Sequence, residues 1–199
     1  MDTSQLIAKI ERLRASIGAA EDRDLSRVKA TVTQTPSLIS VRHDFSGGLT
    51  QAQIDNMAWG VIRAIADLKD HLNRWAAANG HPRNAGDVAV QSCVELALVV
   101  DLANFDKHGA HDRNGGQSSL FPELRNLRRG LRITTAAVPG AVAGMQLLPT
   151  GEIRTVGDAA VTILGDVCLR DGRRIEIGYV QQRAIEAWEK AFGQFGLAV

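Results

Sequence analysis

The chain has 199 residues, 45% hydrophobic and 23% charged, with a formal net charge of +1. That length suits one domain, or a core domain with a small appendage, and it allows a core that needs no disulfide or metal to fold. Near-neutrality excludes a strong field from the whole chain, so any nucleic-acid contact has to come from a local basic patch. Cys93 and Cys168 lie far apart with no CxxC or Cys/His spacing, which points to two reduced thiols and away from a zinc site or disulfide framework. The N-terminus shows no basic segment leading into an apolar one, and the longest apolar stretch, Leu96–Val100, is far short of the ~20 residues of a membrane span. A cytoplasmic protein with no membrane contact is the expectation.

Taken in chain order, Leu6, Ile7, Ile10, Leu13 and Ile17 recur at helical spacing and predict a helix over 3–18. The polar stretch 21–35 reads as a linker or a short helix near Leu25–Val28, and Leu38–Val41 reads as a short strand. Thr50 and Gln53 have capping-box spacing ahead of a long amphipathic helix carrying Ile54, Ala58, Val61, Ile62, Ile65, Leu68, Leu72 and Trp75, which should end near Asn79-Gly80. A single helix is predicted over 87–108, capped by Asp87 and apolar nearly all round from Val94 to Ala103, hence central and buried. After the loop 109–116, Phe121–Gly130 reads as a short helix. Strands are predicted at 131–135, 144–148, 152–156 and 159–164. A hairpin is predicted around Asp171-Gly172 with a type I′ turn, and a closing helix over 180–192. The fold class is therefore α+β: a helical bundle core with a β-rich C-terminal region and a terminal helix. The expected division is 1–48 as N-terminal helix and linker, 49–130 as helical core and 131–199 as the β-rich region, with one continuous domain equally tenable.

The chemistry concentrates at the end of the central helix. Asp101, Asn104 and His108 are spaced by three and four and share one helical face. Histidine exchanges protons near neutral pH, a lysine such as Lys107 neutralises a phosphate or developing oxyanion, and an asparagine amide orients a scissile group. Asp101 is expected either to fix His108 or to bond Asn104. The competing reading is a structural polar network or a solvated helix end, where Lys107 and His108 simply complement the helix dipole. Asp67, Asp70, His71 and Arg74 form a second polar set on the preceding helix, expected to lie apart from the first. Arg125, Arg128 and Arg132 share a face if their segment is helical, and with Arg113 they form a candidate phosphate-binding surface. Walker, dinucleotide-binding, HExxH and nucleophile-elbow motifs are absent from the sequence. The spacing of His108, His111 and Asp112 is not diagnostic of a metal, and no cofactor is called for.

The string Asp101-Leu-Ala-Asn104-Phe-Asp-Lys107-His108-Gly109 resembles the helix-end motif of HEPN-like domains, over residues 50–130. That motif runs arginine, a polar residue that is often asparagine, three variable residues, then histidine. Asn104 takes the polar position and His108 the histidine, while Ala103 stands where the family has arginine. The resemblance implies a four-helix bundle, often a homodimer, acting on RNA as a metal-independent ribonuclease of a bacterial toxin or defence system. With Ala103 in place, either Lys107 or Asp101 compensates or the domain is a non-catalytic relative that binds nucleotides or RNA. The rival to all of these is a non-enzymatic interaction or oligomerisation module.

Overall fold

The computed structural model describes residues 1–134, 143–148 and 150–197. Its helices are α1 (Thr3–Ala20), α2 (Gln51–Ala78), α3 (Ala85–Gln91), α4 (Val94–His108) and α5 (Ile177–Gly193). Its strands are β1 (Lys29–Thr35), β2 (Leu38–Asp44), β3 (Glu123–Thr134), β4 (Gly144–Leu147), β5 (Ile153–Val156), β6 (Asp158–Cys168) and β7 (Arg174–Glu176). The fold is mixed α+β.

The long helix α2 starts where the capping box predicts. The Thr50 hydroxyl accepts from the Gln53 N–H, and the Thr50 N–H donates to the Gln53 side chain at 2.8 Å. Its apolar face packs against α1, α4 and α5. The centre of the core is α4, buried without a break from Leu96 to Leu102. Trp188 of α5 reaches across the interior and donates its indole N–H to the Ile65 carbonyl at 3.0 Å, which satisfies the one polar atom of a large buried ring.

The single helix expected over 87–108 is two helices. The chain bends by 111° between α3 and α4, and Cys93 adopts an extended backbone there. The Ser92 hydroxyl bonds back to the Ala89 carbonyl at 2.8 Å, one way in which serine competes with helix continuation. Asp87 is not a cap; it sits in the first turn of α3 and accepts from Asn73 at 2.7 Å. Asn73 also accepts the Gly86 N–H at 2.7 Å, pinning α3 onto α2. A β-carbon on Gly86 would lie 2.3 Å from the Lys69 carbonyl oxygen, so only glycine fits this approach.

The helix expected over Phe121–Gly130 is also corrected. Residues from Glu123 onward form β3, paired antiparallel with β6 along almost its whole length. The ladder slips between Arg125 and Arg128, with Asn126 in a left-handed conformation at φ 56°. The extra residue of this bulge turns both Leu124 and Leu127 toward the core. Leucines three apart mimic a helical period, which explains the misreading. The strand also crosses the expected boundary at 130/131. Leu131–Thr134 is its end, and Thr135 lies outside the described residues.

The β6–β7 hairpin forms as predicted, but its turn is different. Asp171 is not among the positive-φ residues. The Leu169 N–H donates to Arg173, the Gly172 N–H donates to Leu169, and Gly172 takes φ 89°. This is a three-residue loop ending in a glycine bulge, not a type I′ turn. The stretch 21–35 carries a 3-10 turn at Leu25–Arg27 and then β1, which pairs with β2 in an exposed ribbon. Asp22 forms an isolated bridge to Val161, with both backbone bonds at 2.8 Å. Strands β4 and β5 pair as a second small ribbon, and His43 bonds the Gly151 carbonyl at 2.8 Å to join the two ribbons.

No single helix among the described residues is long and apolar enough to cross a membrane. The α3–α4 pair reaches that length only together, across its bend. Gly86→Ala is expected to lower stability by about 1–3 kcal/mol, as over-packing of a close contact does. A urea titration followed by circular dichroism checks this.

Candidate functional site

The polar stripe divides into a buried part and an exposed part. Asp101 is 2% exposed. Its carboxylate accepts the Gln117 N–H at 2.7 Å, the Ser118 N–H at 2.8 Å and the Ser118 hydroxyl at 2.6 Å. A buried carboxylate needs such donors, and the loop after α4 supplies them. Asp101 therefore latches that loop and does not fix His108 or bond Asn104 as expected. Gly116, at φ 74°, passes so close that a β-carbon there would lie 2.1 Å from the Asp101 carboxylate. Asn104, Lys107 and His108 lie on the exposed surface. Gly109 closes the helix in a left-handed conformation and donates to the Phe105 carbonyl at 2.8 Å, leaving Lys107 and His108 in the last turn.

The latched loop folds back over the helix end. His111 stacks on Phe105 at 4.4 Å between ring centroids and meets Phe121 edge-on at 5.7 Å. Its Nε2 is buried without a hydrogen-bond partner. His111, His108 and Asn104 line one small cavity of about 120 Å³. His111 and Phe121 also border a larger cleft of about 650 Å³, whose far wall carries Arg125, Arg170, Arg173 and Arg174. The Arg170 guanidinium lies over the Phe121 ring, 4.7 Å from its centroid. Among the described residues, the non-glycine residues with positive φ are Ser119, Phe121 and Asn126, and the last two line this cleft. Strained backbone of this kind clusters at functional sites.

The structure redistributes the arginines read from the sequence. Because 123–134 is a strand with a bulge, Arg125, Arg128 and Arg132 do not share a helical face. Arg125 reaches the cleft, paired with Glu123 at 2.5 Å. Arg128 is exposed and donates to the Asn126 carbonyl. Arg132 sits near the other end of β3, about 20 Å away by strand rise, bonded to Glu21 at 2.8 Å. Arg113 is exposed in the loop. Sequence reasoning missed Arg170, Arg173 and Arg174. The signal lies in the run Arg170-Asp-Gly-Arg-Arg174, where three arginines flank the turn.

The second polar set is also divided. Asp67 and Asp70 line a groove of about 410 Å³ together with Asn104 and Lys107, so these are not apart as expected. Arg63 pairs with Asp106 at 2.6 Å across the same helix pair. His71 does not line this groove; its Nδ1 is buried without a partner, and burial, then the charges of Lys9 and Arg74, push its pKa below the usual histidine value. Among the described residues, no group of three or more His, Cys, Asp and Glu side chains is placed to hold a metal ion. Comparison with family models, with curated proteins and with solved structures finds no match to this chain.

Asp101→Ala is expected to cost about 2–4 kcal/mol, because it strands buried donors. Faster hydrogen exchange at the Gln117 and Ser118 amides would report the released loop. For His71, the folded pKa lies below the unfolded one, so the unfolded chain binds the proton more readily. The resulting stability is present above about pH 6.5 and is lost as the pH falls through the folded value. His71→Gln should therefore show a smaller drop in Tm than the parent between about pH 7 and pH 5.

Proposed function

We propose that this protein acts on single-stranded RNA at the end of α4, with Asn104, Lys107 and His108 as the reactive edge and the arginine cleft as the backbone-binding track. The observation that carries this reading is the junction at His111 and Phe121. Exposed Asn104 and His108 border one side of it, and four arginines wall the cleft on the other. Arginine forks suit phosphate oxygens, and aromatic rings beside a basic groove suit unpaired bases. Arg170 and Arg174 carry no carboxylate partner among the described residues, which leaves their charge for a ligand.

In a cleavage step, His108 takes the proton of a ribose 2′-hydroxyl. The freed oxygen attacks the adjacent phosphorus, the bond to the 5′-oxygen breaks, and that oxygen leaves with a proton from water. The products are a 2′,3′-cyclic phosphate and a 5′-hydroxyl end. Lys107 offsets the charge that develops on the phosphoryl oxygens, and Asn104 orients the phosphate by its amide. The arginine missing at Ala103 is replaced in this reading by cleft arginines from the β6–β7 hairpin. A cytoplasmic site of action fits the two free thiols, Cys93 and Cys168.

One observation favours the rival reading of a non-enzymatic module: Asp101, the most buried polar group of the stripe, is wholly engaged in holding a loop. Fluorescence anisotropy with a short single-stranded RNA separates the two. Binding should weaken with salt at a logarithmic slope of about −2 to −3, as three or four phosphate contacts give. Arg170→Ala with Arg174→Ala should weaken it by tenfold or more. His108→Ala should retain binding and abolish cleavage while leaving the circular dichroism spectrum unchanged. Absence of RNA binding would reject the proposal, and equal cleavage by the variant and the parent would sink the catalytic role of His108.

A further inference from the structure

A second, chemically opposite cavity lies at the other end of β3. It encloses about 510 Å³ between the end of α1, the first half of α2, β6 and α5. Its floor is apolar, formed by Ile17, Ala58, Val61, Ile163 and Ile185. Four glutamates, Glu21, Glu176, Glu186 and Glu189, stand around it against one arginine, Arg132. That arginine is already occupied by Glu21 at 2.8 Å. Glu186 is held by Arg183 and Glu176 caps the Tyr179 N–H, but Glu189 is exposed with no cationic partner among the described residues.

Two features independent of the acidic residues point to a ligand. Thr162 lines the cavity, is only 7% exposed, and its hydroxyl has no hydrogen-bond partner among the described residues. The edge of β6 is also open here. Val161 exchanges both backbone bonds with Asp22, and β7 covers the same edge only from Asp166. By the alternation of an antiparallel ladder, the N–H and C=O of Ile163 point into the gap between them. An unpartnered hydroxyl on a residue that lines the cavity and an uncovered strand edge are groups that a bound molecule satisfies. The Tyr179 ring, half exposed at the rim, adds a face suited to a cation.

We propose that this cavity binds a small amphipathic organic cation, an ammonium or guanidinium head on an aliphatic body. The body lies on the apolar floor, and the head donates to Glu189, Glu186 and the strand-edge carbonyl. Surplus carboxylates and backbone or hydroxyl acceptors select a donor-rich cation over an anion of equal size. This site stands independently of RNA binding, because none of its residues lies in the arginine cleft.

The test is isothermal titration calorimetry on the full chain with n-hexylammonium, with hexan-1-ol and hexanoate as probes of equal length. The expected result is saturable one-site binding of hexylammonium, weaker binding of hexan-1-ol and none of hexanoate. Glu186→Gln with Glu189→Gln, both at the rim and away from the core, should weaken hexylammonium about tenfold, as loss of two partly exposed ion pairs does. Hexanoate binding as tightly as hexylammonium, an unchanged affinity in the double variant, or no saturation by hexylammonium up to about 10 mM would each overturn the proposal.

Discussion

A carboxylate on the most buried helix of the protein has to find donors, and the way Asp101 finds them arranges the site. Three hydrogen bonds from Gln117 and Ser118 converge on it. They fold the loop after α4 back over its own helix end. That fold places His111 between two phenylalanines and delivers the chain to the start of β3 beside the β6–β7 hairpin. The small cavity at His108 and the arginine cleft are neighbours because one side chain holds the loop between them. The exposed residues of the stripe then stay free of structural duty, since none of them has to compensate the buried charge.

Much of the helical framework was legible in the sequence because its determinants are local. The Thr50–Gln53 box, the apolar face of α2 and the all-round apolarity of α4 each follow from spacing within a few turns. What was not legible depends on long-range partners. Leu124 and Leu127 look helical until β6 is known to lie beside them and the bulge at Asn126 is seen to turn both inward. The placement of α3 against α2 depends on Asn73 of that other helix, which accepts the Gly86 N–H. Within the site, the exposed edge of Asn104, Lys107 and His108 was readable as one helical face. The partners of Asp101 and the arginines of the hairpin were not, because they come from segments distant in sequence.

The formal charge of +1 conceals a marked separation of sign. Arginines collect where β3 begins and the β6–β7 hairpin turns. Glutamates collect where β3 ends, near α1 and α5. The antiparallel pair of β3 and β6 is the rigid bar that keeps these groups apart. The Arg132–Glu21 ion pair belongs to the acidic end, and there Arg132, Arg23 and Arg183 are each already held by a carboxylate. A protein of this polarity offers surfaces of opposite sign to different ligands without a large net field.

The bulge at Asn126 gives β3 something like a reading frame. Upstream of it, one parity of residue numbers faces the core; downstream, the other parity does. One residue inserted or deleted between Arg128 and Thr134 would leave composition and length almost unchanged, yet it would exchange inside for outside along the rest of the strand, whereas loss of the bulge's own extra residue would restore an unbroken ladder. Gain or loss of a single codon in this segment is thus a far larger event than most substitutions, and the arginines on either side keep their addresses only while that frame is intact.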